Sequence, residues 1–384
     1  MSYIPDPTDA TQPVASVKAS TAAEEFRALK TYIAGLAGLT PITALPALTV
    51  QQLNGGQLAG LRNKLINGQH SISQRHVNNP INLTTTPTYI TDRWAAMTDA
   101  APSGTLVATR ADGDSSSPYC LRLFKASGNY TGLLYAGQVI ESMNCAPFIG
   151  KPFSLSFRAR VGSSFTGTTS PSVYVYRGTV NDEGMANAVA GAWTGFTSES
   201  VITVSAPTLN TSFQTYKYTG TISGPAGELF VGMGRFCDTS AGSGNDYMDI
   251  TDVQFEIGTA ATPFETLPYG MMLALCQRYY HKTFPIETRP VQNVISSFGA
   301  LSFTGILLNG LHEIMWYYPV PMRSTSVTIT TYSPNAASNN WVTNGNTPIA
   351  TLGVTGHNAA AIRASTAVTV GASYYIHATA DAEL

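Results

Sequence analysis

Hydrophobic and polar positions alternate with a period of two over much of the chain. Between 151 and 161, Phe153, Leu155, Phe157, Ala159 and Val161 alternate with polar partners. Val173 and Val175 oppose Tyr174 and Tyr176, Tyr216 and Tyr218 share a face, and so do Leu229, Val231 and Met233. From 251 to 257, Thr251, Val253, Phe255 and Ile257 point one way and Asp252, Gln254 and Glu256 the other, so the acidic set reads as a solvated sheet face. Many short alternating runs separated by Gly, Ser and Asn turns predict a mainly β protein, with a jelly-roll-like β-sandwich over residues 70–268. Residues 269–280 (YGMMLALCQRYY) predict a short apolar helix or turn. Strand patterns then return at 301–308, 314–318, 327–331, 349–354, 367–370 and 374–378, around a polar loop at 332–348. Residues 269–384 therefore read as a smaller C-terminal β domain.

The first 69 residues follow another pattern. Pro5, Pro7 and Pro13 keep 1–17 extended. Thr21 and Glu24 have capping-box spacing, and Phe26, Leu29, Ile33 and Leu36 follow at helical intervals until Gly38 and Pro41 end the run. This amphipathic helix has no partner of its own and needs a later domain or a symmetry mate to cover its stripe. After a connector at 41–57, Leu58, Leu61 and Leu65 predict a second helical turn that ends at Asn67-Gly68.

Composition narrows the class. Charged residues make up 11% of the 384 positions against about 25% in an average globular protein. Hydrophobic residues make up 43%, enough for real cores. Uncharged polar side chains must then cover the surface, which favours rigid β structure over disorder. A net charge of −2 without a Lys/Arg cluster argues against nucleic acid as a partner. No apolar run reaches the ~20 residues that span a bilayer, and the polar N-terminus with Asp6 and Asp9 does not look like a Sec leader. Cys120, Cys145, Cys237 and Cys276 are far apart and read as four free buried thiols.

Several short stretches, taken in order, resemble phage tail-fibre and spike proteins. Residues 64–69 (KLINGQ), Gln74-Arg75, and Tyr89 with Thr91-Asp92-Arg93-Trp94 resemble the start of a carbohydrate-binding-module-like jelly roll in such fibres. Residues 252–265 (DVQFEIGTAATPFE) resemble its last strand and exit, and 275–280 (LCQRYY) the start of the domain that follows. Residues 319–323 (PVPMR) and 380–384 (ADAEL) match that same C-terminal tip domain. Together these landmarks frame residues 64–384. The resemblance implies a homotrimeric virion appendage, with jelly roll and tip outward against a host-surface glycan or receptor. By position, residues 1–69 would contact other virion proteins. Threefold association would also bury apolar surface that a short helix or a small β domain cannot bury alone.

Catalytic chemistry is harder to place. Gly113-Asp114-Ser115 resembles the nucleophile block of GDSL-type esterases, but no His has an Asp three residues before it, and Ser116-Ser117-Pro118 make a Ser-rich turn the better reading. No G-x-S-x-G elbow occurs. A glycosidase needs two carboxylates at a set separation, and the 252–256 face is the densest acidic strand. His70, His76, His281, His312, His357 and His377 show no H-x-x-x-H or H-E-x-x-H pairing. No catalytic residue, catalytic metal or cofactor is expected, although a structural calcium would suit a jelly roll of this kind. For receptor contact, Trp341 with Asn339, Asn340 and Asn344 offers an aromatic face with short polar side chains in a long loop, and Tyr174, Tyr176, Tyr216 and Tyr218 offer a similar mixture on the sandwich. The expected function is a non-enzymatic subunit for host adsorption. The alternatives are a structural adaptor or head decoration without receptor binding, and a polysaccharide depolymerase.

Overall fold

A computed structural model of the chain describes residues 61–308, 311–343, 347–364 and 368–383. The expected N-terminal arm and capped helix, Asn344, and the first residue of the 367–370 run lie outside the described residues.

The sandwich forms as the alternation predicts. In chain order its strands are β1 (Ile81–Asn82), β2 (Thr88–Thr91), β3 (Trp94–Thr98), β4 (Leu106–Asp112), β5 (Tyr119–Lys125), β6 (Gly132–Ile140) and β7 (Pro152–Val161). Then come β8 (Ser172–Gly178), β9 (Thr197–Ser198), β10 (Val201–Ser205), β11 (Gln214–Thr221), β12 (Glu228–Cys237) and β13 (Tyr247–Ile257). One sheet runs β1-β4-β5-β13-β7-β11-β10 and the other β2-β3-β6-β12-β8-β9. Phe153, Leu155 and Phe157 of one sheet share a core with Leu229, Val231 and Met233 of the other. Aromatic stacking fills it: Phe148 on Phe255 at 4.8 Å, and Phe157 on Tyr216 at 5.4 Å.

Two sequence expectations need correction on β13. Its core-facing residues are Met248 and Ile250, then Val253 and Phe255. The two pairs are out of phase, and the pairing with β7 shifts register between Thr251 and Gln254. Asp252 takes φ +52° at this β-bulge, and Thr251 does not continue the face of Val253. The acidic face is also not solvated. Gln254 and Glu256 are buried beneath residues 61–63 and 262–265. Arg62 Nε donates to Glu256 at 2.9 Å, and the Thr262 N–H donates to Glu256 at 2.8 Å.

Nor do residues 61–69 form the expected helical turn. They run irregularly along β13, with Leu61 at φ +59° and Leu65 in the core. Local side chains satisfy this backbone in place of helical bonds. Asn63 Oδ1 accepts from the N–H groups of Leu65 and Phe255, both at 3.0 Å, and Gln138 Oε1 accepts from Ile66 N–H at 2.9 Å. Gly68 is required by close approach, because a Cβ there would lie 2.2 Å from the Val253 carbonyl oxygen.

The chain continues through the helix Tyr269–Gln277 into a second set of strands. These are β14 (Tyr280–Lys282), β15 (Leu301–Thr304), β16 (His312–Tyr317), β17 (Thr328–Tyr332), β18 (Ala350–Thr355), β19 (Ala359–Ala364) and β20 (Ser373–Asp381). β20 is central: β17 pairs with residues 377–381, β14 with 379–381, and β15 with 373–376. A three-stranded sheet, β16-β19-β18, completes the layer. Ala378, Ala380 and Ala382 face a second core with Trp316, Met322 and Ile362. Both cores lie within one compact unit spanning residues 59–384.

Glu228, the first residue of β12, is fully buried and accepts the Glu183 N–H on both carboxylate oxygens at 3.1 Å. Burial, with the Glu183 and Asp182 carboxylates adding to it, pushes its pKa up to about 8. A carboxyl group raised on folding stabilises the fold fully below its unfolded pKa, and that contribution is lost as pH rises through the folded value. Glu228→Gln should therefore raise Tm at pH 8 by a few degrees and leave it nearly unchanged at pH 4, measured by thermal melts at the two pH values.

Candidate functional site

The alternation on β20 sends Ala378, Ala380 and Ala382 to the second core and His377, Thr379 and Asp381 to the opposite face. The segment that leads into the sandwich packs against that opposite face. Gln74 Nε2 donates to the Tyr280 carbonyl at 2.9 Å. Lys282 Nζ donates to the carbonyls of Gln74, Ile286 and Thr288 at 2.8, 2.7 and 2.7 Å. Burial draws the Lys282 ammonium down to about 8, against the pull of Asp92 and Glu287.

Between the two cores lies a buried seam of ion pairs. Arg75 donates to Asp381 at 2.9 Å and to Glu383 at 3.2 Å, and its guanidinium sits 3.8 Å over the Tyr280 ring. Arg93, with a side chain only 1% exposed, pairs with Glu383 and lies 3.6 Å over the Tyr279 ring. Burial works against both guanidinium groups, but Glu383, joined at Arg75 by Asp381, outweighs it and holds both pKa values above the ordinary arginine value. Tyr279 Oη and Arg278 donate to Glu141, and Arg323 Nε donates to the Ala382 carbonyl at 2.8 Å.

Where this seam meets solvent it opens into a cleft of about 340 Å³. β17 and β20 make the floor, where Thr328 pairs in register with Asp381 and Thr330 with Thr379. Arg75, His76 and Tyr280 form one wall, and Arg289, Pro290 and Tyr332 line the rest. Burial, then the Arg289 and Arg75 charges, holds His76 down at about 4, so its ring is neutral at neutral pH. Among the described residues Asp381 is the one carboxylate lining the cleft, and it is already paired with Arg75. Hydroxyls, aromatic rings and fixed charges in one concavity can orient a polar ligand. A second concavity, of about 420 Å³ beside β10 and β11, has Ser, Thr and Ile202 walls, no aromatic ring, and one carboxylate, Glu199, held by Arg177.

The Trp341 loop does not form the exposed platform expected of it. Trp341 is fully buried in the second core, its Nε1 donates to the Arg363 carbonyl at 3.0 Å, and its ring meets Phe303 edge-on at 4.8 Å. The Val342–Tyr375 bridge pins it there, so the indole gains core packing and a partner for its N–H. Asn339 is exposed, but its carbonyl accepts from Thr331 Oγ1 at 2.8 Å and its side chain from Gln292. Asn340 is half-buried beside it. The sandwich tyrosines separate as well. Tyr216 and Tyr218 are core residues, whereas Tyr174 and Tyr176 pack with Tyr135, Phe196 and Phe230 on the outer face of the second sheet. Asp114 caps a Ser-rich turn, accepting from the Ser116 and Ser117 N–H groups at 2.9 and 3.0 Å, as its sequence context predicts. Among the described residues no group of three or more His, Cys, Asp or Glu is placed to hold a metal ion, and no helix is long and apolar enough to cross a membrane.

The sequence pattern did not point to Arg289, His76 or the threonine floor. The available signal was the alternation of small apolar and polar residues at 376–381 (IHATAD) and of Thr with apolar residues at 327–331 (VTITT).

No protein-family model and no curated protein sequence matches the chain. Solved structures with partial likeness include the enzymatically active domain of bacteriophage CBA120 tailspike protein 4, with 14% identity and a TM-score of 0.31 over 58% of this chain and 25% of that one. The chain thus spans about a quarter of that tailspike domain. A xylan-binding domain from carbohydrate-binding module family 22 gives 11% identity and a TM-score of 0.29 over 47% of this chain and 96% of that one. The K1 cleaved adhesin domain of Lys-gingipain from Porphyromonas gingivalis gives 14% and 0.27 over 47% and 99%.

Glu383→Ala should lower stability by about 3–5 kcal/mol, because Arg93 is left as a buried unpaired charge. Urea unfolding should show the midpoint fall, with m unchanged if both cores unfold together. Glu383→Gln, which keeps an acceptor, should cost less.

Proposed function

We propose that the chain is a non-enzymatic subunit of a homotrimeric virion appendage, a tail fibre or spike, that recognises a host-surface glycan through the cleft at the seam. The observation that carries this reading is the cleft itself. It brings threonine hydroxyls, two tyrosine rings and two guanidinium groups into one open concavity on a rigid β scaffold, the mixture that binds a polyhydroxylated ligand. Turnover is not part of the reading: the carboxylates Asp249, Asp252, Glu256 and Asp381 are each engaged by arginine.

The threefold association is supported by apolar surface that one subunit leaves in water. Met315 and Tyr317 project from β16, Leu352 and Val354 are exposed on β18, and Ile306, Leu307, Leu308 and Leu311 crowd the turn before β16. Exposed apolar side chains in this number favour association, and closed symmetry would bury them without leaving an open end. The purified protein at micromolar concentration should have three times the monomer mass of 40.7 kDa by light scattering. A stable monomer would overturn the trimer. The same preparation should bind host cells and block adsorption of the parent particle. A trimer that fails to bind would be an adaptor, and release of reducing ends from host polysaccharide would make it a depolymerase.

A further inference from the structure

The charges in the seam cleft narrow its ligand, a step that rests on reading the cleft as the glycan contact. Two guanidinium groups line it, and they are not equivalent. Arg75 is fixed and neutralised, with Asp381 and Glu383 on its nitrogens and the Tyr280 ring against its face. Arg289, by contrast, is exposed on the opposite side and forms no ion pair among the described residues. Glu383 is held from behind by Arg93, and Asp381 is matched by Arg75. The charge left over in the cleft is therefore one positive guanidinium.

A further feature sits beside it. The floor presents Thr328 and Thr330 two residues apart on β17, ~6.8 Å along the strand, and Thr379 opposite Thr330, ~5 Å across the ladder. Threonine hydroxyls can both donate to and accept from sugar hydroxyls. An arginine fork binds carboxylate in a planar, paired geometry that a neutral sugar cannot use.

We propose that the seam cleft selects a carboxylate-bearing saccharide, with Arg289 meeting the carboxylate and the exposed Thr328 and Thr330 meeting ring hydroxyls. The test uses the full chain and sugars that differ only in charge: galacturonate, glucuronate and N-acetylneuraminate, each beside its methyl ester, titrated by ligand-observed NMR and calorimetry. At least one acid should bind about tenfold tighter than its ester at 50 mM salt, with the preference shrinking at 500 mM. Arg289→Gln, an exposed position outside the seam ion pairs, should abolish the preference while leaving Tm unchanged. Equal binding of acid and ester, or a preference that survives Arg289→Gln, overturns the proposal. So does a sugar phosphate that binds tighter than every acid with the same Arg289 dependence. Host-surface polysaccharide provides the separating arm: if it binds wild type and Arg289→Gln alike, the carboxylate assignment fails and the glycan reading stands. If it binds neither, both fail.

Discussion

The structure of residues 61–383 depends on one buried carboxylate. Glu383 lies between Arg93 and Arg75, and those two arginines come from the beginning of the sandwich while Glu383 follows the final strand. Neither apolar core reaches across this boundary. What joins them is charge-assisted hydrogen bonding backed by the Tyr279 and Tyr280 rings, an arrangement that holds geometry more firmly than a greasy contact, which could slide.

The low charge content takes on a different meaning once the contacts are known. Scarce charges do not simply leave a neutral surface, because many of them are spent internally. Arg235 and Asp246 pair with no exposure at all, Asp249 is shared by Arg122 and Arg160, and Glu199 is held by Arg177. Each such pair costs desolvation and fixes a single arrangement of neighbouring strands. Among the described arginines, Arg289 alone forms no ion pair.

Strand-level structure was legible in the sequence where one face met a core and the other met water, as on β11, and also on β7 and β12, whose second faces are covered by apolar or small side chains. It failed where a polar face was covered. On β13 the polar face is hidden beneath a segment nearly 200 residues earlier in the chain, and alternation carries no sign of such a lid. The bulge at Asp252 was visible only as a change of phase between Met248-Ile250 and Val253-Phe255. Trp341 misled for a related reason: a Trp in an Asn-rich loop looks exposed, but a single bridge to β20 turns the ring inward. The cleft could not be read at all, since its walls come from residues 75–76, 280, 289–290 and 328–332 and share no local pattern. Even so, Gln74-Arg75, Arg93, Arg278, Tyr279, Arg323 and Glu383, which fall within the landmark stretches or beside them, all turn out to sit at the seam.

β20 divides its labour by parity. Its alanines at 378 and 380, with Ala382 just past its end, are fixed by close packing, where an added methylene would strain the second core. Thr328 and Thr330, on the neighbouring β17, are exposed to the cleft and lie outside that core. A lineage could therefore exchange these hydroxyls for other side chains, and so change which sugar it grips, without renegotiating its fold. The paired strands thus keep a tightly packed inner side on β20 and a replaceable vocabulary on the exposed side of β17.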